Sequence, residues 1–586
     1  MQNKPFISEQ DIIAGLNLKK LKISVVAPLI LKLLKLKKVN DIVEEHQEKQ
    51  GWEFANDILQ SLKIEFDYNP DDLKNIPKDE PFILLANHPY GGIDGLILLS
   101  LIGKIRPDFK IMANYLLEKI PAINKSIIAI NPFEKRKSSG LNMQGIKQSL
   151  KLIQNGDPIG VFPAGEVSSL KIQKLKITDK QWNPVVGKLI MKSNVKVIPV
   201  YFSGHNSFAF HLLGIIHPFL RTIKLPSELF NKKFEKIKVR IGKPVSIKTI
   251  GEFNDPDDLL RFLRARTYAL NSALEVDSSW FVKPKLLNNE WIEPIIAPID
   301  KSLLEVDIER IKSKGFLCEQ GHLKVYVSGA KFIPNILMEI ARLREITFRQ
   351  VGEGTNLSCD KDEFDIHYRH LFIWDEKEKR IAGAYRLGMG NILYRRYKKK
   401  GFYLNTLFKM KVELADLLKD SIELGRSFVV KEYQKKPFTL MLLWKGIIEL
   451  VKRESYPFKY LIGPVSISNH FNSLSKDLLV DYIQKNHFNR DLAKLVEPRH
   501  KYKFKHKGEG AELRLHGSNS MLELDQLIED IEVDKKKIPV LLKKYIKQHA
   551  QIIAFNVDPK FNHALDGFLV MEINNIPEDT FEMIIR

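Results

Sequence analysis

Residues 81–100 read PFILLANHPYGGIDGLILLS and join two apolar runs through a polar turn. The first run, 82–86, predicts a buried strand, and the second, 96–99, belongs to a predicted helix. The turn contains His88, a Gly91-Gly92 pair that permits unusual backbone dihedrals, and Asp94 where the helix would start. Open α/β sheets bind their ligands at the carboxyl ends of strands. The stretch therefore predicts an α/β fold with a polar site at this turn.

His88 and Asp94 have the residue types of a catalytic pair. A carboxylate six positions after an imidazole can return across the glycine turn and bind one ring nitrogen. This contact would fix the tautomer of the imidazole and raise the basicity of its other nitrogen, giving a general base for a hydroxyl or an amine. The alternative is a structural histidine beside a helix-capping aspartate, and the spacing alone favours that alternative.

Strand and helix patterns alternate through the first half of the chain. Further strand candidates lie at 159–162, 195–202 and 237–241, and helical patterns lie between them, for example at 145–154 and 259–273. This alternation predicts an α/β domain with a central sheet.

The length of 586 residues is too great for one ordinary core, so two domains are expected. Segment 283–300 carries three prolines and little periodicity, which predicts a linker between domains at 1–282 and 301–586. Beyond it the pattern restarts with a strand in LKVYVSGA, a long helix near 335–351 and a hairpin with a charged turn at 375–380. Both domains are therefore expected to be α/β.

The charge of the chain points to acidic partners. The formal net charge is +21 at pH 7, which suits nucleic acid, anionic lipid or an acidic carrier protein. Segment 500–507, HKYKFKHK, interleaves aromatic residues with lysines as single-strand binders do, although an edge strand protected by lysines explains it equally well. Zinc-finger, helix-turn-helix and RNA-binding signatures are absent from the sequence, so nucleic acid is not expected.

The sequence predicts a cytoplasmic protein that binds a membrane surface. Cys318 and Cys359 form neither a disulfide framework nor a metal-binding pattern, and the polar opening MQNKPFISEQDII does not resemble a secretory signal. A run of about 18 apolar residues, the length needed to span a bilayer, does not occur. Segment 19–38, KKLKISVVAPLILKLLKLKK, predicts either an interfacial helix on an anionic leaflet or a packed helix with extended lysines.

Three motifs in order resemble the glycerophospholipid acyltransferases over roughly residues 70–270. They are Asn87-His88 with Asp94, the run Phe162-Pro163-Ala164-Gly165-Glu166, and Ile198-Pro199-Val200. The family pattern has four residues between the histidine and the aspartate, whereas this chain has five, and Ala164 stands where the family has glutamate. Both departures resemble the branch that acylates aminolipids.

The resemblance implies a role for each residue of these motifs. His88 would take the proton from an acceptor hydroxyl that attacks an acyl thioester, and Asp94 would orient His88. The turn formed by Phe162, Pro163, Gly165 and Glu166 would shape the acceptor pocket. Arg136 would meet an anionic headgroup, although a solvated charge run explains its segment at least as well.

A second ordered set resembles the ornithine N-acyltransferases, which have a GNAT-like fold, over roughly residues 320–470. The matching residues are Arg342, Phe348, Asp365, Arg386, Glu423 and Arg426. An amine acceptor needs a carboxylate to recruit its cation and a base to neutralise it, for which Asp365 and Glu423 are the candidates. Arg386 or Arg426 would pair with the carboxylate of the acceptor. Arg342 is assigned to substrate binding by the resemblance alone.

Together the two halves resemble the bifunctional ornithine lipid synthases. The resemblance implies N-acylation of an amino acid, ornithine or glycine, with a 3-hydroxyacyl chain from acyl carrier protein, followed by O-acylation of that hydroxyl. It implies no cofactor or metal, and a peripheral location on the cytoplasmic face of the inner membrane. The alternatives are a lysophospholipid acyltransferase whose C-terminal half only binds carrier protein or membrane, and a non-enzymatic, hemolysin-like membrane-binding protein.

Overall fold

The computed structural model describes residues 35–131, 140–171, 176–216, 224–231, 236–274, 292–436, 438–516 and 520–577. The chain divides into two compact units. Unit 1 comprises residues 1–280, 507–516 and 529–535, and unit 2 comprises residues 281–506, 517–528 and 536–586. Two short segments of the C-terminal half thus pack with the N-terminal unit, which the sequence pattern did not predict. The domain limits at 282 and 301 stay a prediction.

Strands occur in both units. In chain order they are β1 Glu65–Tyr68, β2 Phe82–Ala86, β3 Lys110–Asn114, β4 Ile127–Ile130, β5 Ile159–Val161, β6 Ser169–Lys171, β7 Lys176–Thr178, β8 Lys196–Phe202, β9 Lys236–Ile241, β10 Phe316–Gln320, β11 Leu323–Gly329, β12 Arg369–Asp375, β13 Arg380–Met389, β14 Phe408–Met410, β15 Ser421–Val429, β16 Tyr460–Ile467, β17 Val496–Pro498, β18 Gln551–Asp558 and β19 Ala564–Glu572.

Helices alternate with these strands. In chain order they are α1 Leu36–Glu45, α2 Gly51–Ser61, α3 Gly92–Gly103, α4 Gly140–Gln154, α5 Pro184–Ser193, α6 Phe208–Ile216, α7 Ile247–Gly251, α8 Pro256–Ala269, α9 Lys301–Gly315, α10 Pro334–Gln350, α11 Phe364–His367, α12 Gly390–Tyr397, α13 Leu404–Leu407, α14 Ala415–Lys419, α15 Lys431–Gln434, α16 Thr439–Arg453, α17 Ser473–Asn486, α18 Arg490–Ala493, α19 Glu509–Leu515, α20 Met521–Ile531 and α21 Val540–Lys547.

Unit 1 is built on a seven-stranded sheet of order β1-β9-β8-β2-β5-β3-β4. Its strands pair in parallel except for the antiparallel pair β8 and β9. All five residues of β2 are buried, as expected for a strand covered on both faces. Because β8 and β5 flank β2 in parallel, the carboxyl ends of these three strands lie at the same edge of the sheet.

Asn87 extends the pairing of β2 with β8 one residue beyond the end of β2. Its Nδ2 donates to the Phe202 carbonyl at 2.9 Å, and its Oδ1 accepts the Phe202 N–H at 2.7 Å. The amide side chain thus replaces a strand residue in the hydrogen-bond ladder. This contact fixes the position from which the next residue, His88, leaves the sheet.

Unit 2 contains an eight-stranded sheet of order β10-β11-β12-β13-β15-β16-β19-β18. All neighbouring pairs are antiparallel except β15 and β16, which pair in parallel over only three residues each, Ser421–Glu423 and Tyr460–Ile462. β15 then continues along β13, and β16 along β19. The centre of the sheet therefore opens where β15 and β16 part.

The predicted α/β fold with two domains is confirmed. Three predicted strands differ from β5, β8 and β9 by one residue at an end, the predicted hairpin turn joins β12 to β13, and the predicted helix near 335–351 is α10. The helix predicted at 259–273 instead begins at Pro256, after an Asp255 cap, and ends at Ala269. The edge-strand interpretation of segment 500–507 is wrong, because only Lys501 forms a bridge, to Asn556.

Two sequence predictions concern the membrane. Within the described part of the chain, no helix is both long enough and apolar enough to cross a bilayer. Of the basic segment 19–38, residues 19–34 lie outside the described residues, so its interfacial role stays a prediction.

Candidate active sites

His88 and Asp94 form a buried pair at the carboxyl end of β2. Nδ1 of His88 lies 2.9 Å from Oδ2 of Asp94, whose side chain is fully buried. The same oxygen accepts the backbone N–H groups of Tyr90 at 2.9 Å and Gly91 at 3.0 Å. Asp94 is the third residue of α3, so its carboxylate caps the helix and holds the imidazole at once. The contact predicted for a catalytic pair and the helix cap predicted by the alternative interpretation therefore occur together in the same side chain.

Gly91 makes this geometry accessible to the backbone. Its φ is 85°, in the region that L side chains rarely adopt, and a Cβ there would lie 2.9 Å from Leu225. The positive φ turns the chain back so that the Gly91 N–H faces Asp94. A side chain at position 91 would strain the backbone of the turn and collide with Leu225.

The electrostatics of the pair suit a general base. Burial raises the pKa of Asp94, while the contact with His88 and the two backbone N–H groups oppose that shift. The carboxylate stabilises the imidazolium that forms when the ring takes a proton. With Nδ1 bound to Asp94, Nε2 is the nitrogen available to accept a proton from substrate. The His88 side chain is 17% exposed, so a substrate hydroxyl can approach it.

The turn after β5 lies against the imidazole. The ring of Phe162 stacks on His88 with a centroid separation of 4.0 Å and an interplanar angle of 26°. The Gly165 N–H donates to the Phe162 carbonyl at 3.0 Å, and Gly165 has a φ of 65°. Pro163 accepts the Asn183 N–H at 2.9 Å, and Glu166 pairs with Lys180. The structure thus brings Phe162 to His88, whereas the carboxylate of Glu166 already has a cationic partner.

Sequence reasoning missed Asp179, which ties the two strand-end turns together. Its Oδ1 accepts the His88 N–H at 3.2 Å and the Ser168 hydroxyl at 2.5 Å, and its Oδ2 accepts the indole N–H of Trp182 at 3.1 Å. Ser168 also donates its N–H to the His88 carbonyl at 2.8 Å. The backbone of His88 is therefore fixed on both sides. Its separation of 91 residues from Asp179 leaves no local sequence signal.

Arg136, the predicted headgroup-binding residue, lies outside the described residues. Its role stays a prediction.

In unit 2, four of the predicted residues lie in one buried cluster: Asp365, Arg386, Glu423 and Arg426. Asp365 accepts two hydrogen bonds at 2.8 Å from Arg344 and one at 3.2 Å from Arg386. Burial opposes ionisation of Asp365, but these contacts, mainly with Arg344, hold its pKa well below the usual range. Arg426 lies 3.2 Å from Asp360 and 3.4 Å from Asp362. Asp365 is thus fully engaged with arginines and is poorly placed to recruit a substrate cation.

Arg386 keeps one edge of its guanidinium free. Its Nη1 binds Asp362 and Asp365, whereas Nε and Nη2 are buried without a hydrogen-bond partner among the described residues. The side chain is 1% exposed, and the rings of Tyr368 and Tyr403 lie 5.3 and 5.4 Å from its central carbon. Nε and Nη2 are the fork with which arginine binds a carboxylate. Two buried, unused donors are costly unless a ligand satisfies them.

Glu423 is a buried carboxyl group close to Arg386, and its pKa is higher than that of an exposed glutamate. It accepts the N–H groups of Leu404 at 2.7 Å and Tyr403 at 3.1 Å, and also the hydroxyl of Tyr368. Burial raises the pKa of Glu423 to about 7, although the hydrogen bonds and the charge of Arg386 oppose the shift. A carboxylate with a pKa near the working pH is suited to general base catalysis.

A β-bulge places Arg426 next to the opening of the sheet. Arg386 pairs with Gly425 and Ala384 with Phe428, so one extra residue of β15 is accommodated between them. Arg426 has a φ of 52°, and its guanidinium lies over the Phe561 ring at 4.5 Å. A Cβ at Gly425 would meet nothing within 4 Å. The bulge thus faces open space where β15 leaves β16.

Two predicted residues do not join the cluster. Arg342 donates to Glu339 at 2.8 and 2.6 Å on its own helix, and Phe348 is half-buried near the end of α10. The residue of α10 that reaches Asp365 is Arg344. The sequence shows that α10 carries several arginines, but it does not show which of them faces Asp365, because that depends on the rotation of the helix about its axis. The substrate-binding role of Arg342 stays a prediction.

Comparison with known proteins identifies the two halves. Residues 26–277 match the family described as "Acyltransferase", and residues 343–445 match the "Acetyltransferase (GNAT) domain". The protein is an acyltransferase. The first match lies within unit 1 and the second within unit 2, so the predicted resemblance of each half is confirmed.

Named relatives correspond to both kinds of acyl transfer. The glycine N(alpha)-acyltransferase of Phocaeicola vulgatus is 32% identical over 220 residues, covering 35% of this chain and 66% of that protein. The protein of the same name from Bacteroides thetaiotaomicron is 29% identical over 310 residues, covering 49% and 88%. The lyso-glycine lipid O-acyltransferase of B. thetaiotaomicron is 24% identical over 250 residues, covering 41% and 87%. This acyltransferase thus resembles both N- and O-acyltransferases.

Substitution of His88 or Asp94 in unit 1 is predicted to reduce O-acyl transfer selectively. His88→Ala removes the base, so the rate of O-acylation by the acyltransferase should fall on the order of a hundred- to ten-thousand-fold. Asp94→Asn should act in the same direction because it removes the charge that supports the imidazolium. Rates are measured on purified protein with acyl thioester and a hydroxyl acceptor. Unchanged rates in both variants would make the pair structural.

Asp179 is predicted to position His88 for catalysis. Asp179→Asn replaces one acceptor oxygen with an NH2 group that can only donate, so kcat for O-acylation should fall by up to about a hundredfold while KM changes little. Asp72→Asn is the matched control, because Asp72 is equally buried in unit 1 and binds Arg240 and the Ile241 N–H of β9. Equal kcat losses in the two variants would show a general effect on folding.

Glu423 predicts the pH dependence of N-acylation. The base works when deprotonated, so kcat should rise with pH up to about 7 and level off above the pKa of Glu423. Glu423→Gln should abolish this limb and lower kcat across the range. The pH profile of kcat is measured at saturating amine. A wild-type limb that persists in the glutamine variant would assign it to another group.

Proposed function

We propose that this acyltransferase makes a two-chain aminolipid in two steps. Unit 2 transfers a 3-hydroxyacyl chain from acyl carrier protein to the α-amine of an amino acid. Unit 1 then esterifies the 3-hydroxyl of that product with a second acyl chain. The observation that carries the proposal is the free guanidinium edge of Arg386 beside Glu423 in unit 2.

An amino acid presents the two groups that this site is suited to bind. Its carboxylate fits the Nε and Nη2 donors of Arg386, which have no other partner among the described residues. Its amine needs a base, and burial raises the pKa of Glu423 to about 7. The rings of Tyr368 and Tyr403 reduce access of water to this pair. Arg386 is favoured over Arg426 for this role, because the Nε and Nη2 edge of Arg426 already faces Asp360 and Asp362, at 3.2 and 3.4 Å.

The first step follows from this arrangement. Glu423 takes a proton from the ammonium group, and the free amine attacks the thioester carbonyl. The C–N bond of the amide forms, the C–S bond breaks, and the thiol leaves with a proton. The donor arm is an extended chain with amide groups, and it can add to the edge of β15 that β16 leaves open after Glu423. No cofactor beyond the donor is needed.

The second step uses His88. Its Nε2 accepts the proton of the 3-hydroxyl while the oxygen attacks a second acyl thioester, and Asp94 stabilises the imidazolium. The ester C–O bond forms, the C–S bond breaks, and His88 returns the proton to the departing thiol. Phe162 forms one wall of this site through its stack on His88.

The names of the relatives favour glycine over ornithine as the amino acid. Two relatives are named glycine N(alpha)-acyltransferase, and a third is named for a lyso-glycine lipid. A carrier-protein donor is supported by the net charge of +21, which suits an acidic partner. The same charge supports peripheral binding to an anionic membrane on the cytoplasmic face, where the lipid products would be released.

The lipid content of a host that lacks aminolipids tests the proposal. Expression should produce a two-chain, ninhydrin-positive lipid that contains glycine, identified by mass spectrometry. Purified Arg386→Lys should raise KM for the amino acid about ten- to hundredfold with little change for the donor, because a lysine lacks the fork. Arg344→Lys is the control, since Arg344 is equally buried but already bound to Asp365.

Three results would contradict the proposal. If the new lipid contained ornithine and not glycine, the assignment of glycine as the substrate would be wrong. An altered phospholipid pattern with no new aminolipid would favour a lysophospholipid acyltransferase. An unchanged KM in Arg386→Lys would remove the assigned carboxylate site.

The membrane association is predicted to be peripheral. High salt or alkaline carbonate should release most of the protein from membrane fractions, because the attraction is electrostatic and superficial. Immunoblots of supernatant and pellet measure the release. Retention that only detergent reverses would contradict it.

A further inference from the structure

Three polar side chains of unit 2 that neither proposed step uses converge at the start of α17. Oγ of Ser473 lies 3.4 Å from Nε2 of His506, and Nδ1 of His506 lies 2.8 Å from Oδ2 of Asp477. His506 belongs to segment 500–507, whose lysines and aromatic residues stood out in the sequence. The order is that of a nucleophile, a base and a carboxylate that orients the base.

Asp477 fixes the orientation of the imidazole. Its side chain is fully buried, and burial alone would raise its pKa, but hydrogen bonds led by that of His506 lower the pKa instead. An ionised carboxylate only accepts hydrogen bonds, so Nδ1 of His506 carries the proton that points to it. In the neutral ring Nε2 is then an acceptor, and it faces the Ser473 hydroxyl.

The place of Ser473 in the helix favours negative charge at its oxygen. Ser473 is the first residue of α17, a helix of 14 residues capped by Asn472, which accepts the Leu474 N–H at 2.9 Å. The first-turn N–H groups of a helix lack intrahelical partners, and its dipole stabilises an anion there. His506 is 33% exposed and Ser473 is half-buried, so an acyl group can reach the pair.

Anchoring of the loop does not by itself explain the arrangement. Asp477 also accepts the Tyr502 hydroxyl at 2.6 Å and the backbone N–H groups of Lys505 and His506 at 3.1 and 2.9 Å. These bonds hold segment 502–506 against α17 whether or not the ring of His506 takes part. The additional contact of that ring with a half-buried serine adds a nucleophile to the anchor.

We propose that Ser473, His506 and Asp477 form a third acyl-transfer centre, separate from the two of the proposed aminolipid synthesis, that hydrolyses carboxylic esters or thioesters. Ser473 Oγ attacks the acyl carbonyl while His506 takes its proton, and the tetrahedral intermediate collapses as the C–O or C–S bond breaks. His506 protonates the leaving alcohol or thiol. Water, deprotonated by His506, then attacks the acyl-serine, so the carboxylic acid is released and Ser473 regains its proton.

A fluorophosphonate probe tests the nucleophile on the full-length protein. The serine oxygen displaces fluoride from phosphorus, and peptide mass spectrometry identifies the labelled residue. Wild type should be labelled at Ser473. His506→Ala should slow labelling on the order of a hundred- to ten-thousand-fold, as expected for loss of a general base. His487→Ala, which changes a histidine just after the other end of α17, is the matched control and should label like wild type.

Hydrolysis of p-nitrophenyl butyrate gives an independent readout. Ser473→Ala should abolish it, and since this serine is not in the core the variant should keep its N-acylation activity, which verifies its fold. His88→Ala and Glu423→Gln should hydrolyse the ester at the wild-type rate, so failure of the proposed aminolipid synthesis and failure of this centre are distinguishable. Absence of label on Ser473, or hydrolysis unaffected by Ser473→Ala, would overturn the centre and leave Asp477 as a loop anchor.

Discussion

The loop that carries His88 has its shape because the fully buried carboxylate of Asp94 has to be paired. A buried carboxylate is costly unless hydrogen bonds compensate it. Asp94 obtains them from two backbone N–H groups and the imidazole, and only the positive φ of Gly91 lets the chain supply all three. The position of the His88 imidazole is thus a consequence of satisfying Asp94, and Asp179 binds the His88 backbone N–H from the other side of the loop.

The same rule produces the opposite outcome in unit 2. There the buried carboxylate of Asp365 accepts hydrogen bonds from Arg344, Arg386 and the Asp362 N–H, and the two arginines hold its pKa low and remove it from proton chemistry. Glu423 receives two N–H groups and a hydroxyl but no direct cation, so burial dominates and raises its pKa to about 7. Two buried carboxylates in one unit thereby differ in pKa because of their hydrogen-bond partners, and only Glu423 has the pKa that the proposed base requires.

Sequence reasoning located the parts of the sites that local patterns encode. The ends of β2, β5 and β8 and the turn at His88 could be predicted because apolar runs stop at Pro and Gly there. Arg386 and Glu423 were candidates through the resemblance of an ordered set of residues to the ornithine N-acyltransferases, which left Asp365 and Arg426 open as alternatives for their roles. Contacts between distant segments could not be predicted, as Asp179 shows, and neither could a helix rotation. Two positions along a helix turn a side chain by roughly 200°, which separates Arg344 from the predicted Arg342.

Two backbone irregularities were also not predicted from the sequence. The bulge at Arg426 depends on how β15 pairs with β13, and the opening of the sheet depends on where β15 and β16 stop pairing. Gly425 lies at the bulge, and Gly463 and Pro464 directly follow the last residue of β16 that pairs with β15. Gly and Pro weaken regular strand pairing, but they do not by themselves specify where it stops. The two irregularities leave a backbone edge of β15 open next to Glu423, which is where the proposed function places the donor.

The central claim is that one chain holds two acyl-transfer sites that act in series, and complementation between two variants tests it most directly. Purified His88→Ala and Glu423→Gln proteins are incubated separately and together with labelled glycine and acyl carrier protein thioesters, and lipids are separated by chromatography. The account predicts single-chain lipid from the first variant, no labelled lipid from the second, and two-chain lipid from the mixture. Failure of the mixture to make two-chain lipid, although the single-chain product accumulates, would contradict it.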